Sequence, residues 1–172
     1  MVYKKMSKKF ELFEKRLKPR NIVEAYVLAV RSAEMNSSER LKSFQDVIAF
    51  CEQDYICSKE DSIKRNTLLF WAYDKVAQAK LHHQEYQEAM QAWLKSFSIG
   101  VSPQARLRLG AKMLQLADEA KFNVTDKAKN LSAIARYMKQ AYLETGQVEE
   151  AAKMERLQEV SSYVLRQTDA KS

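Results

Sequence analysis

The sequence predicts an all-α protein, and three observations predict it. The 172 residues contain only three Gly and two Pro. A β-sandwich or an α/β fold needs many more turn residues, so the composition points to long helices with short links. Apolar residues recur at steps of three and four along almost the whole chain, and no strand-like alternation survives anywhere. The stretch from Phe70 to Ile99 reads as two amphipathic helices joined by a tight polar turn, with small residues at Ala77, Ala79 and Ala89 and bulky ones at Tyr73, Tyr86, Trp93 and Phe97. Such a hairpin cannot bury its apolar face alone, so it must stack on neighbours.

Seven or eight antiparallel helices are expected. Tyr3, Met6, Phe10, Phe13 and Leu17 form one apolar stripe opposite a lysine-rich face, and Pro19 ends that helix. Asn21 caps the second, whose stripe is expected at Ile22, Tyr26, Ala29 or Val30, and Ala33. Asn36-Ser37-Ser38-Glu39 is a break and a new cap, followed by Leu41, Phe44, Val47, Ile48 and Cys51 on one face, with an end expected near Tyr55 to Ser58. Asp61 or Ser62 is expected to cap the fourth helix, running to about His82. Gln84-Glu85-Tyr86 opens the fifth, which ends at Gly100. Ser102-Pro103 is the cleanest start signal, with Ser as cap and Pro at the first helical position. Thr125-Asp126 is expected to open the seventh, with Ala128, Leu131, Ala135, Met138 and Tyr142 in phase, and Gly146 stops it. The eighth runs from Val148 to about Gln167, with Ala151, Met154, Leu157, Ser161 and Val164 in phase.

Length suits a single all-helical domain over 1–172, with 1–20 as a basic amphipathic N-terminal helix. The net charge of +7 is uneven. Residues 1–20 hold eight basic side chains against two acidic, and residues 21–172 hold 21 against 20. The body is therefore almost neutral, whereas a nucleic-acid binder more often carries a basic face along its body. Cys51 and Cys57, six apart on one helix, would lie about 9 Å apart along the axis, beyond the reach of a disulfide. Two reduced thiols, no apolar run long enough to span a bilayer and no secretory leader make a cytoplasmic protein the expectation.

Catalytic and metal chemistry find no motif. His82 and His83 are the only histidines, and adjacent helical positions point about 100° apart, so they form no two-ligand face. There is no Gly-rich phosphate loop and no Gly-x-Ser-x-Gly elbow. Glu85, Glu88, Glu149 and Glu150 sit in first helical turns, where the helix dipole favours acids. The expectation is no enzyme, no cofactor, no metal and no small-molecule substrate.

Two segments share one template. Ala79, Leu81, Tyr86, Glu88-Ala89-Met90 and Trp93 answer to Ala141, Leu143, Val148 and Glu150-Ala151-Ala152, with Gln84 answering to Gly146 and an offset of 62. This resembles the tetratricopeptide repeat, carried by Ala77 with Ala89 in the first copy and by Tyr142, Gly146 and Ala151 in the second. The chain departs from the family at Lys80, where an aromatic is usual, at Lys139, a small position, and in its offset, since two regular repeats would span 68. The resemblance implies antiparallel helix pairs stacked as a short right-handed superhelix; the alternative is a non-repeat helical bundle. It implies a scaffold or adaptor that binds a peptide or helix of another protein. Trp71, Asp74, Gln78 and His82 would face the groove in one copy, and Arg136, Gln140 and Glu144 in the other. Asp74 and Gln78 replace the Lys and Asn with which some members clamp a C-terminal carboxylate, while Arg136 with Gln140 offers donors to an anionic group. The rival expectation is a nucleic-acid or anionic-membrane-surface binder acting through residues 1–20.

Overall fold

The computed structural model describes residues 19–32, 37–53, 59–99 and 101–170. The basic segment 1–18, the cap at Asn36 and Cys57 lie outside them. The described residues form seven α-helices and no strand: α1 (Ile22–Ser32), α2 (Ser37–Cys51), α3 (Lys59–His82), α4 (Tyr86–Phe97), α5 (Pro103–Glu119), α6 (Val124–Glu144) and α7 (Val148–Asp169). The chain divides into two compact units, Met1–Ala79 and Lys80–Ser172.

In the first unit α1 packs on α2. Asn21 caps α1, its Oδ1 accepting from the Glu24 amide at 2.9 Å, while Glu24 reaches back to accept from the Arg20 amide at 2.8 Å. This reciprocal arrangement satisfies two amides the helix itself cannot. The buried stripe of α1 is Ala25, Leu28, Ala29 and Ser32. Tyr26, expected inside, is exposed together with Val23, and of the alternatives Ala29 and Val30 it is Ala29 that is buried. The correction has a steric cause: alanines at i and i+4 let two helices approach closely, which a Tyr in that stripe would prevent. Ser32 satisfies its buried hydroxyl by donating to the Leu28 carbonyl at 2.6 Å, and that helix end receives the Arg40 Nε on the Ser32 carbonyl at 3.1 Å.

Phe44, Val47, Ile48 and Cys51 are buried on α2 as expected, and so are Ser43 and Phe50. In α3 the helix is already formed at Lys59, so Asp61 and Ser62 lie inside its first turn rather than capping it. Leu68, Leu69, Ala72, Tyr73, Val76 and Ala77 make its buried stripe.

The second unit is built around α6, which packs on α4, α5 and α7. Ser102 caps α5, accepting from the Ala105 amide at 3.3 Å, with Pro103 in the first turn. Asn123 caps α6 through a 2.7 Å bond from the Asp126 amide, two residues ahead of the expected Thr125-Asp126 start. Asn is as good a cap as Thr or Asp, and it stands where the chain first turns into the helix. Gly110 of α5 sits where α4, α5 and α6 converge: a Cβ there would lie 2.6 Å from Met138 Cγ and Sδ and 2.9 Å from Phe97 Cζ. Phe97 stacks on Tyr137 with centroids 5.5 Å apart and an 8° interplanar angle.

The 62-residue offset holds at the level of the backbone. The α3–α4 turn places Gln84 at φ 60° and the α6–α7 turn places Gly146 at φ 75°. The Glu85 and Gln84 amides bond the Lys80 and Leu81 carbonyls at 2.9 Å each, and the Gln147 and Gly146 amides bond those of Tyr142 and Leu143 at 2.8 and 3.1 Å. Both are Schellman caps, in which a left-handed residue lets two amides fold back on orphan carbonyls. The departures from the repeat pattern fit this turn. Lys80, at the position of Tyr142, bridges to Glu85 across its own turn. Lys139, at the position of Ala77, pairs with Glu155 of α7. The two turns are three helices apart, whereas copies in an unbroken run of helix pairs are separated by an even number.

Candidate functional site

The seven residues expected to line a groove fall in both units: Trp71, Asp74 and Gln78 in the first, His82, Arg136, Gln140 and Glu144 in the second. Each group takes its geometry from the helix that carries it.

Trp71 is half-buried. Its ring meets Phe44 of α2 edge-on, with centroids 5.2 Å apart and an 85° interplanar angle, so part of the indole is used in packing. One turn on, Asp74 accepts from Gln78 Nε2 at 2.7 Å, and Gln78 Oε1 accepts from Lys75 Nζ at 3.3 Å. These bonds join neighbours on a helix face. His82 is exposed at the end of α3, and its ring meets His83 edge-on at 5.6 Å.

In the second unit Arg136, Gln140 and Glu144 stand at successive turns of α6, all exposed. Gln140 Nε2 donates to Glu144 Oε1 at 3.0 Å. The other Glu144 oxygen pairs with a guanidinium nitrogen of Arg106 on α5. Arg106 is only 8% exposed, and its Nε has no hydrogen-bond partner. A buried guanidinium with one nitrogen satisfied and another bare fixes the carboxylate in place and leaves donor capacity behind it. Arg136 carries its charge over the Tyr137 ring, 4.9 Å from the centroid. The resulting strip runs from a stacked cation through an amide to an anchored carboxylate.

Sequence reasoning missed Arg106. The signal was present: an arginine occupies the apolar phase of α5 with Leu109, Met113 and Ala117. A charge in the core phase implies a partner on the facing helix. It also missed the polar tie between α4 and α6, in which buried Asn130 donates to Gln87 Oε1 at 3.2 Å.

A shallow open cavity of about 430 Å³ between α6 and α7 is lined by Lys139, Glu155, Gln158, Glu159, Ser162 and Arg166. Its charges are mixed, and it lacks the apolar walls that hold small ligands. Around the first-unit core, burial pushes the Cys51 thiol up to about 11, the opposite of what a reactive cysteine needs. Burial, then the hydrogen bond it donates to Glu52, raises Tyr73 well above the ordinary phenol range. Among the described residues no three metal-ligating side chains gather, and no helix is long and apolar enough to cross a membrane. Comparison of the chain with protein-family models, with curated proteins and with solved structures finds no match.

Proposed function

We propose that the chain is a non-enzymatic interaction scaffold of the helical-repeat kind, binding a peptide or helix of another protein along the polar face of α6. The observation that carries this reading is the Arg136–Gln140–Glu144 strip. It is exposed, spaced at successive helical turns and anchored from beneath by buried Arg106. A partner segment lying along such a strip meets fixed donors at one end and a fixed acceptor at the other, so polar anchors set its register while shape supplies area. The tetratricopeptide-like character is supported by the two matching turns and by the alanines that follow them, Ala89 and Ala151, both buried. The odd number of helices between the turns makes it an irregular version of such an array.

The test is retention of binding partners by the full chain from its native host, with wild type beside Arg136→Glu and Gln140→Ala, at about 50 mM and about 200 mM salt. A partner held by wild type, lost with Arg136→Glu and little affected by salt is the expected result. Binding that collapses across that salt range and needs only residues 1–20 would favour the rival reading, because phosphate contacts release counterions and groove contacts do not.

A further inference from the structure

Helix α7 turns one face to α6 and carries exposed side chains on the other. Ala151 and Ser161 are buried on the covered side. Away from those two, Glu149, Ala152, Arg156, Glu159, Tyr163 and Arg166 are all exposed, Glu159 and Arg166 at the edge of the α6–α7 cavity, and they recur at alternating steps of three and four. That is the spacing of a seam that faces a second helix along its whole length. Val148 and Val160 flank it at 66% and 62% exposure, and Tyr163 is 58% exposed.

The 62-residue offset says what this face is for. Ala152 and Glu159 occupy the positions of Met90 and Phe97 in α4. Both of those are buried, and Phe97 meets α5 beside Gly110. In α4, then, this face receives the next helix of the chain. In α7 the same face is exposed, and four of its six residues are charged.

The charges are arranged so that the seam complements itself when reversed. Laid antiparallel against a copy about a two-fold axis between Arg156 and Glu159, the seam sets Glu149 against the copy's Arg166 and Arg156 against the copy's Glu159. The smallest seam residue, Ala152, lies against the largest, the copy's Tyr163. Each contact occurs twice, as an isologous interface requires. Within the chain, Glu149, Arg156, Glu159 and Arg166 take part in no ion pair among the described residues. We propose that α7 is a self-association surface on which a second copy of this chain docks antiparallel, through the seam from Glu149 to Arg166.

The contact is about 25 Å long and mostly polar, which puts it in the class of small, weak interfaces. The test is therefore sedimentation of the full chain from about 10 μM to about 1 mM at low salt. Wild type should dimerise within that range. Arg156→Glu sets glutamate against glutamate at both symmetry-related contacts and Glu159→Arg sets arginine against arginine, so each should weaken dimerisation by about tenfold or more. The double variant R156E/E159R restores opposite charges and should recover the dimer. An equimolar mixture of the two single variants should form a mixed dimer that neither forms alone. All three variants change surface charge only and should leave the helical circular dichroism unchanged. A wild type that stays monomeric throughout overturns the proposal. So does a dimer indifferent to the reversals, or one that the double variant fails to restore.

Discussion

A methyl group added at Gly110 meets Met138 and Phe97 at distances that no relaxed structure tolerates. Elsewhere in a helix, Gly→Ala gains about 1 kcal/mol of propensity. Here Phe97 is 1% exposed and Met138 3%, so neither has free space to move into. Gly110→Ala is expected to lose a net 1–3 kcal/mol or so in urea unfolding. Adding Met138→Ala should return part of that loss, and a Gly110→Ala protein as stable as its parent would show that the three helices do not converge there. The Arg106–Glu144 pair carries a second prediction, because its two ends sit in different media. The Arg106 side chain is 10% accessible and that of Glu144 37%. Glu144→Gln leaves a buried cation without its counter-charge. Arg106→Met keeps the stem's packing and leaves a carboxylate that water can reach. Glu144→Gln should therefore destabilise by about 1–3 kcal/mol and by more than Arg106→Met, which equal or reversed urea midpoints would disprove.

The two Schellman turns form a natural pair of controls at the scale of the element. Gln84 and Gly146 occupy the same left-handed position, which costs a residue with a Cβ about 1–2 kcal/mol and glycine nothing comparable. Gln84→Gly should raise stability by about 0.5–1 kcal/mol. Gly146→Ala should lower it by about 1 kcal/mol through conformation alone, since a Cβ there meets nothing within 4 Å. Thermal melts that move in the same direction for both variants would contradict this account. The turns also show which parts of the helices were legible. Gly146 and Ser102-Pro103 were readable because one residue type serves one backbone geometry. Gln84 was readable only by alignment with Gly146, because glutamine has no preference for that geometry. The start of α6 was misplaced because Asn123, Thr125 and Asp126 are all good caps and only the chain's path chooses among them. The α1 face was misplaced at Tyr26, which hydropathy prefers, while close approach prefers Ala25 beside Ala29.

For the whole molecule, periodicity and the scarcity of Gly and Pro were enough to give an all-helical protein, because a three-and-four repeat marks a helix whichever face it buries. The candidate site was legible only in part. Arg136, Gln140 and Glu144 are spaced by the helix that bears them, so their alignment on α6 follows from sequence. The Arg106 that fixes Glu144 comes from another helix, and no local pattern joins residues 38 positions apart. Electrostatics yields the last prediction, since every resolved shift among the described residues has one sign. Cys51 and Tyr73 are raised chiefly by burial, and Lys153 by its hydrogen bond and charge pairing with Glu150. A group whose pKa is higher in the folded state stabilises fully below its unfolded value, and that contribution fades as pH climbs towards the folded one. For Cys51 the window opens at 9.0 and closes at about 11. Between them the unfolded chain loses its thiol proton while the folded chain keeps it, so each step up in pH favours unfolding. Tyr73 extends the same trend to higher pH. Stability should hold level from pH 7 to pH 8.5 and fall by about 1 kcal/mol by pH 10, read as a drop in urea midpoint. Cys51→Ala lowers the baseline by loss of packing but removes the steepest part of the decline. The thiol in a Cys57→Ser background should also resist alkylation at pH 8 until the protein is unfolded. A midpoint that stays flat to pH 10, or rapid labelling of Cys51 in the native state, would place that side chain in water rather than in the core of α2.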